Sequence, residues 1–123
     1  MTRLICALVA LLALVACTSQ PSNSFVPTID LDSERQLQGG TVVGFQNGAG
    51  GHSWLGIPYA AAPTGDLRWR APRPHAGWRD RLEALKAGSP CIQYGSPLGG
   101  VGEAGTRQGS EDCLFLNVYA PRL

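Results

Sequence analysis

Charge is scarce in this sequence and nearly balanced. Among 123 residues, 10 Lys and Arg stand against 9 Asp and Glu, a formal net charge of +1. Nucleic-acid binding needs a basic patch to meet the phosphates, and no such surplus is present. A long apolar run is also missing. The longest, Leu4 to Ala16, is 13 residues, whereas a helix needs about 20 to cross the hydrocarbon core of a bilayer. Histidine occurs twice, at His52 and His75. Neither lies near a cysteine at ligand spacing, so no metal site is expected. No cofactor is expected either. What is abundant is backbone-breaking residues, 16 Gly and 9 Pro. They favour short strands and turns over long helices.

The first residues have the order of an export signal. Met1-Thr2-Arg3 carries one positive charge, and the apolar run Leu4–Ala16 follows at once. A charged start with a short apolar core is a secretory pattern. Within that run Cys6 is a small hydrophobe. The run ends in Leu14-Val15-Ala16-Cys17, which resembles the lipobox of bacterial lipoproteins. That resemblance implies that residues 1–16 are removed and that Cys17 becomes the first mature residue, carrying lipid. Several acyl chains, at roughly 0.8 kcal/mol per buried CH₂, hold firmly to a bilayer. The membrane is then a partner through Cys17. An ordinary cleaved signal that happens to hold a cysteine is the alternative, with a periplasmic or secreted product. In a Gram-negative cell, Thr18 stands where an Asp would favour inner-membrane retention, which points to the outer membrane or cell surface. Thr18 to Ser24 contains no apolar residue and reads as a tether. The division expected is signal peptide 1–16, lipid-attachment residue and flexible tether 17–38, and a folded part 39–123.

The body reads as strands and turns. Gly39–Phe45 has β-branched residues bounded by glycine. Asn47-Gly48 is a tight-turn signal, and Ser53–Tyr59 is a second apolar run, so a hairpin with a loop around 46–52 is expected. Pro58 should end its pairing. Pro63–Pro74 holds three prolines and should be irregular, packed down by Trp69 and Trp78. Cys113–Tyr119 is nearly continuous in apolar character, which suits a strand covered on both faces. Arg79–Ala87 suits either a short helix or a strand.

Two sequences invite functional readings that their surroundings do not support. Gly100-Val101-Gly102-Glu103-Ala104-Gly105 spells G-x-G-x-x-G, but a dinucleotide loop needs a strand before it and a helix after it. Gly51-His52-Ser53-Trp54-Leu55 nearly spells the G-x-S-x-G nucleophile elbow, with Leu at the fifth position. A glycine-rich loop precedes it and a strand follows, the wrong context for an elbow. Ser53 is therefore expected as a loop-edge hydroxyl, and His52 and His75 as solvated loop residues.

Cys91 and Cys113 are the cysteines left in the exported part. In an exported protein they form either a disulfide or two free thiols. A disulfide would close a loop worth roughly 3 kcal/mol in the chain-entropy model, around a stretch with little to pack.

Three blocks resemble the start of the type-B carboxylesterases, the group that includes the cholinesterases. Leu55-Gly56-Ile57-Pro58-Tyr59-Ala60 with Pro63-Thr64-Gly65-Asp66-Leu67-Arg68-Trp69 is similar to that family's F-x-G-I-P-Y-A…P-x-G-x-L-R-[FW]. Trp78, Ala84, Gly88, Cys91 and Gln93 follow its spacing W-x5-A-x3-G-x2-C-x-Q. Glu111 to Pro121 fills its E-D-C-L-x-L-N-[VI]-x-x-P signature. The resemblance covers residues 39–123 and implies the strand-rich N-terminal portion of an α/β-hydrolase fold. It implies a Cys91–Cys113 disulfide, a strand near Arg81–Ala84, and a structural ion pair between Arg68 and Glu111. An arginine fork suits a carboxylate at the start of a strand.

The resemblance also implies what is not here. The family's His-Gly-Gly oxyanion loop, its G-E-S-x-G elbow and its acidic and histidine triad members come after this signature. No catalytic residue is therefore expected within 1–123. Two readings follow. The chain is the N-terminal fragment of an exported, lipid-anchored ester hydrolase, whose partner is a carboxylic ester only in the full-length enzyme. Alternatively it is a small anchored, non-catalytic binding or scaffold module on the same fold.

Overall fold

The computed structural model describes residues 25–99 and 101–122. Cys17, the apolar run before it and Thr18–Ser24 lie outside the described residues, as does Gly100. Short strands dominate: β1 (Arg35–Leu37), β2 (Gly40–Val43), β3 (Phe45–Gln46), β4 (His52–Pro58), β5 (Leu82–Glu83), β6 (Gln93–Tyr94), β7 (Arg107–Gln108) and β8 (Phe115–Ala120). Two single turns of 3₁₀-helix, Leu31–Ser33 and Gly65–Leu67, are the helical elements among the described residues. The strands form three sheets in the orders β1-β2-β5, β3-β4-β8 and β6-β7.

The first two sheets meet at a kink in what the sequence suggested was one strand. β2 ends at Val43 and β3 begins at Phe45, with Gly44 between them. A Cβ at Gly44 would lie 2.1 Å from the Ser53 carbonyl oxygen, so only glycine lets the two backbones approach this closely. Phe45 pairs with Ser53 and Gln46 with His52, closing the expected hairpin. Asn47 builds its turn. Its Oδ1 accepts from the Ala49 and Gly51 amides, each at 3.0 Å, while its Nδ2 donates to Ser53 Oγ, also at 3.0 Å.

Within the expected tether of 17–38, residues 30–37 are part of this body, while 17–24 lie outside the described residues. β1 pairs antiparallel with β2, Arg35 opposite Val42. Ser33 is fully buried. Its Oγ donates to the Asp30 carbonyl and accepts from the Gly44 amide at 2.8 Å, while the Asp30 amide donates to the Gly44 carbonyl at 3.0 Å. The Trp54 indole donates to the Ser33 carbonyl at 3.0 Å. Asp30 and Ser33 are held here by backbone partners, which composition does not reveal.

β4 is the central strand of its sheet. It pairs with β3 on one side and antiparallel with β8 on the other, and its register shifts between Trp54 and Ile57. At that irregularity Leu55 bridges Leu85 and donates its amide to the Ala84 carbonyl at 2.8 Å. The Gly56 amide is taken by Asn117 Oδ1 at 2.9 Å. Gly56 has φ 72 and would place a Cβ 2.4 Å from the Lys86 carbonyl, so glycine is required on both counts. Pairing does not stop at Pro58. Pro58 faces Phe115, and the Tyr59 amide donates to the Leu114 carbonyl at 3.1 Å. A proline at the strand end loses only its own donor.

Within Arg79–Ala87 the structure has a two-residue strand, Leu82–Glu83, inside the Arg81–Ala84 stretch where the family spacing implied one. β5 lies parallel to β2 with Val42 opposite Leu82. Val42, Trp54, Ile57 and Ala84 form the buried core, flanked by Trp78, Leu82 and Ala120. Trp78 anchors the irregular stretch before it, donating its indole to the Thr41 carbonyl at 2.6 Å. Trp69 does not. Its backbone has φ 59 and its side chain is fully exposed, so the expectation that it packs down the proline-rich stretch fails in the described residues. β8 also differs from expectation, since Leu116, Val118 and Tyr119 remain 40%, 39% and 69% exposed.

Gly44→Ala is expected to destabilise the fold by more than about 2 kcal/mol, because the added methyl must push two strands apart. Thermal unfolding monitored by circular dichroism measures it.

Candidate functional site

Three groups of side chains could carry chemistry. The first surrounds His52, which β4 buries to 2% exposure. It is not the solvated loop residue expected from sequence. Its Nε2 lies 3.1 Å from Asp30 Oδ2, and its ring stacks edge-on to Trp54 at 5.9 Å. Asp30 Oδ1 accepts from the Asp32 amide at 3.1 Å, and Arg122 Nη2 stands 4.0 Å from Asp30 Oδ2. His52 Nδ1 is buried without a hydrogen-bond partner among the described residues. The result is a carboxylate–imidazole pair with no hydroxyl bonded to it among the described residues.

Ser53, the near-miss nucleophile, is also buried, which corrects its placement at a loop edge. Successive residues of a strand point to opposite faces. His52 and Trp54 share one face, and the Ser53 hydroxyl accepts from Asn47 on the other. A base must reach the proton it removes, and adjacent strand positions forbid that here. His75 is exposed, and its Nδ1 accepts from the Gly77 amide at 3.0 Å.

The second group is at Cys91 and Cys113, which form a disulfide with S–S 2.05 Å and Cα–Cα 4.9 Å. The bond staples the base of the loop between them. Inside it β6 and β7 pair, Gln93 with Gln108 and Tyr94 with Arg107. The described part of Gly100–Gly105 is the exposed turn of this ribbon. A strand precedes it and another follows, so the helix a dinucleotide loop requires is absent among the described residues.

Arg68 and Glu111 stand beside the disulfide and line the same open hollow as Pro63, Trp69 and Cys113. Arg68 Nη2 donates to Glu111 Oε1. The hydrogen bond to Glu111, and then its charge, raise the Arg68 pKa above its ordinary value. Both side chains keep substantial exposure, 54% and 37%. In the described residues this is a solvent-facing pair, and such pairs contribute little to stability.

The third group is an open groove of about 830 Å³, lined by Leu37, Trp54, Tyr59, Trp78, Leu116 and Val118 among others. Its polar lining side chains include Arg35, Gln38, Tyr59 and His75, with no serine or cysteine nucleophile among the lining residues. A nucleophile, a base that deprotonates it and donors for the oxyanion are the minimum for that chemistry. None of the three groups supplies them. Among the described residues no cluster of three His, Cys, Asp or Glu stands ready for a metal ion.

Comparison with known proteins gives a consistent result. The Carboxylesterase family model matches residues 31–123, eight residues earlier than the resemblance in the sequence and in accord with the ordered Leu31–Leu37 segment. Fumonisin B1 esterase of Sphingopyxis macrogoltabida is 40% identical over 88 residues, covering 72% of this chain and 15% of that protein. Para-nitrobenzyl esterase of Bacillus subtilis is 46% identical over 72 residues, covering 58% of this chain and 14% of that protein. Among solved structures, a PNB esterase superposes with TM-score 0.60 at 37% identity, over 75% of this chain and 17% of the other. A Geobacillus stearothermophilus carboxylesterase does so with TM-score 0.56 at 32% identity, over 72% and 16%. The chain thus spans about a sixth of the length of the relatives it matches. The family match extends over the hairpin, the Trp78 anchor, the disulfide ribbon and β8. The chain belongs to the carboxylesterase family and carries part of its α/β-hydrolase fold.

Proposed function

We propose that this chain is the N-terminal part of an exported, lipid-anchored hydrolase of carboxylic esters. The observation that carries the reading is the family match across residues 31–123, joined to relatives whose names are those of esterases. Export and anchoring rest on the sequence pattern of Leu4–Cys17. The hydrolysis is acyl transfer to a serine: a base takes the hydroxyl proton, the oxygen attacks the ester carbonyl, and the oxyanion is held by donors. Those groups belong to the larger part of the relatives' length that this chain does not span. The role of residues 31–122 is to form the two small sheets and the stapled ribbon. On this reading the apolar groove and β8 pack against the remainder of the hydrolase.

The test is the reading frame downstream of codon 123 and the activity of its whole product. The frame is expected to continue through His-Gly-Gly and G-x-S-x-G, and replacing the serine of that elbow by alanine should abolish turnover of p-nitrophenyl butyrate. Residues 1–123 alone should show no turnover above background, with Ser53→Ala making no difference. Activity in the short chain that Ser53→Ala removes would overturn the assignment of the nucleophile. A frame that closes at once, with an inert and stably folded product, would favour an anchored binding module instead.

Anchoring is tested separately. Mass spectrometry of the membrane fraction is expected to find an N-terminal peptide beginning at Cys17 and carrying acyl chains. A soluble product that begins beyond Cys17 would contradict it.

A further inference from the structure

We draw no further inference here: the strongest candidate, the His52–Asp30 side-chain pair that ties the Leu31–Ser33 turn to β4, carries none, because the ring's unpartnered Nδ1 is sealed inside the body and no third metal-ligating side chain stands beside the pair among the described residues, which leaves it the structural fastening already described.

Discussion

At Gly44 three stretches of backbone meet with no side chain between them. The chain leaves one sheet as β2 and enters the other as β3 across this single residue. The β4 carbonyl of Ser53 occupies the space a side chain would need. The segment at Asp30 and Ser33 closes the same point from the other side, giving the Gly44 amide and carbonyl the partners that the kink denies them. A buried amide left without a partner would cost on the order of 1–3 kcal/mol. The kink is therefore possible because a hydroxyl eleven positions earlier is available. Trp54 and His52, both buried, extend the arrangement into the core, each bonded to the same segment.

This arrangement explains which parts could be read from the sequence. Asn47-Gly48 announced the turn because the turn's chemistry is local: one side chain accepts two amides of its own loop. β8 was legible from its run of apolar residues, and the disulfide from the even pair of cysteines together with the family resemblance. The Asp30–Leu37 segment was not legible. Its partners lie in Gly44, His52 and Trp54, and no periodicity in Asp-Leu-Asp-Ser-Glu-Arg-Gln-Leu reports a hydrogen bond to a residue far along the chain. His52 and Ser53 were misplaced for the same reason. Next to a glycine-rich loop a polar pair looks solvated, yet each has its polar partner, Asp30 for one and Asn47 for the other.

Sequence spacing rejected the elbow at Ser53 and the dinucleotide loop at Gly100–Gly105, and strand geometry gives each rejection a physical reason. Trp69 and the outer residues of β8 are the instructive errors. Their apolar character asks for cover, and burial depends on what surrounds a residue as much as on the residue. A chain that spans about a sixth of its relatives lacks neighbours that the longer proteins possess.

The bond between Cys91 and Cys113 holds two backbone points 4.9 Å apart across 22 positions. The sheets therefore receive the same pair of chain ends whatever lies between them. A peptide-bond cut anywhere in the ribbon leaves both halves covalently joined, and β8 stays against β4. The same staple decouples the ribbon's sequence from the fold's stability. Residues can be inserted, deleted or exchanged at its tip while the framework goes undisturbed, which makes this loop the place where members of one fold can diverge at low cost.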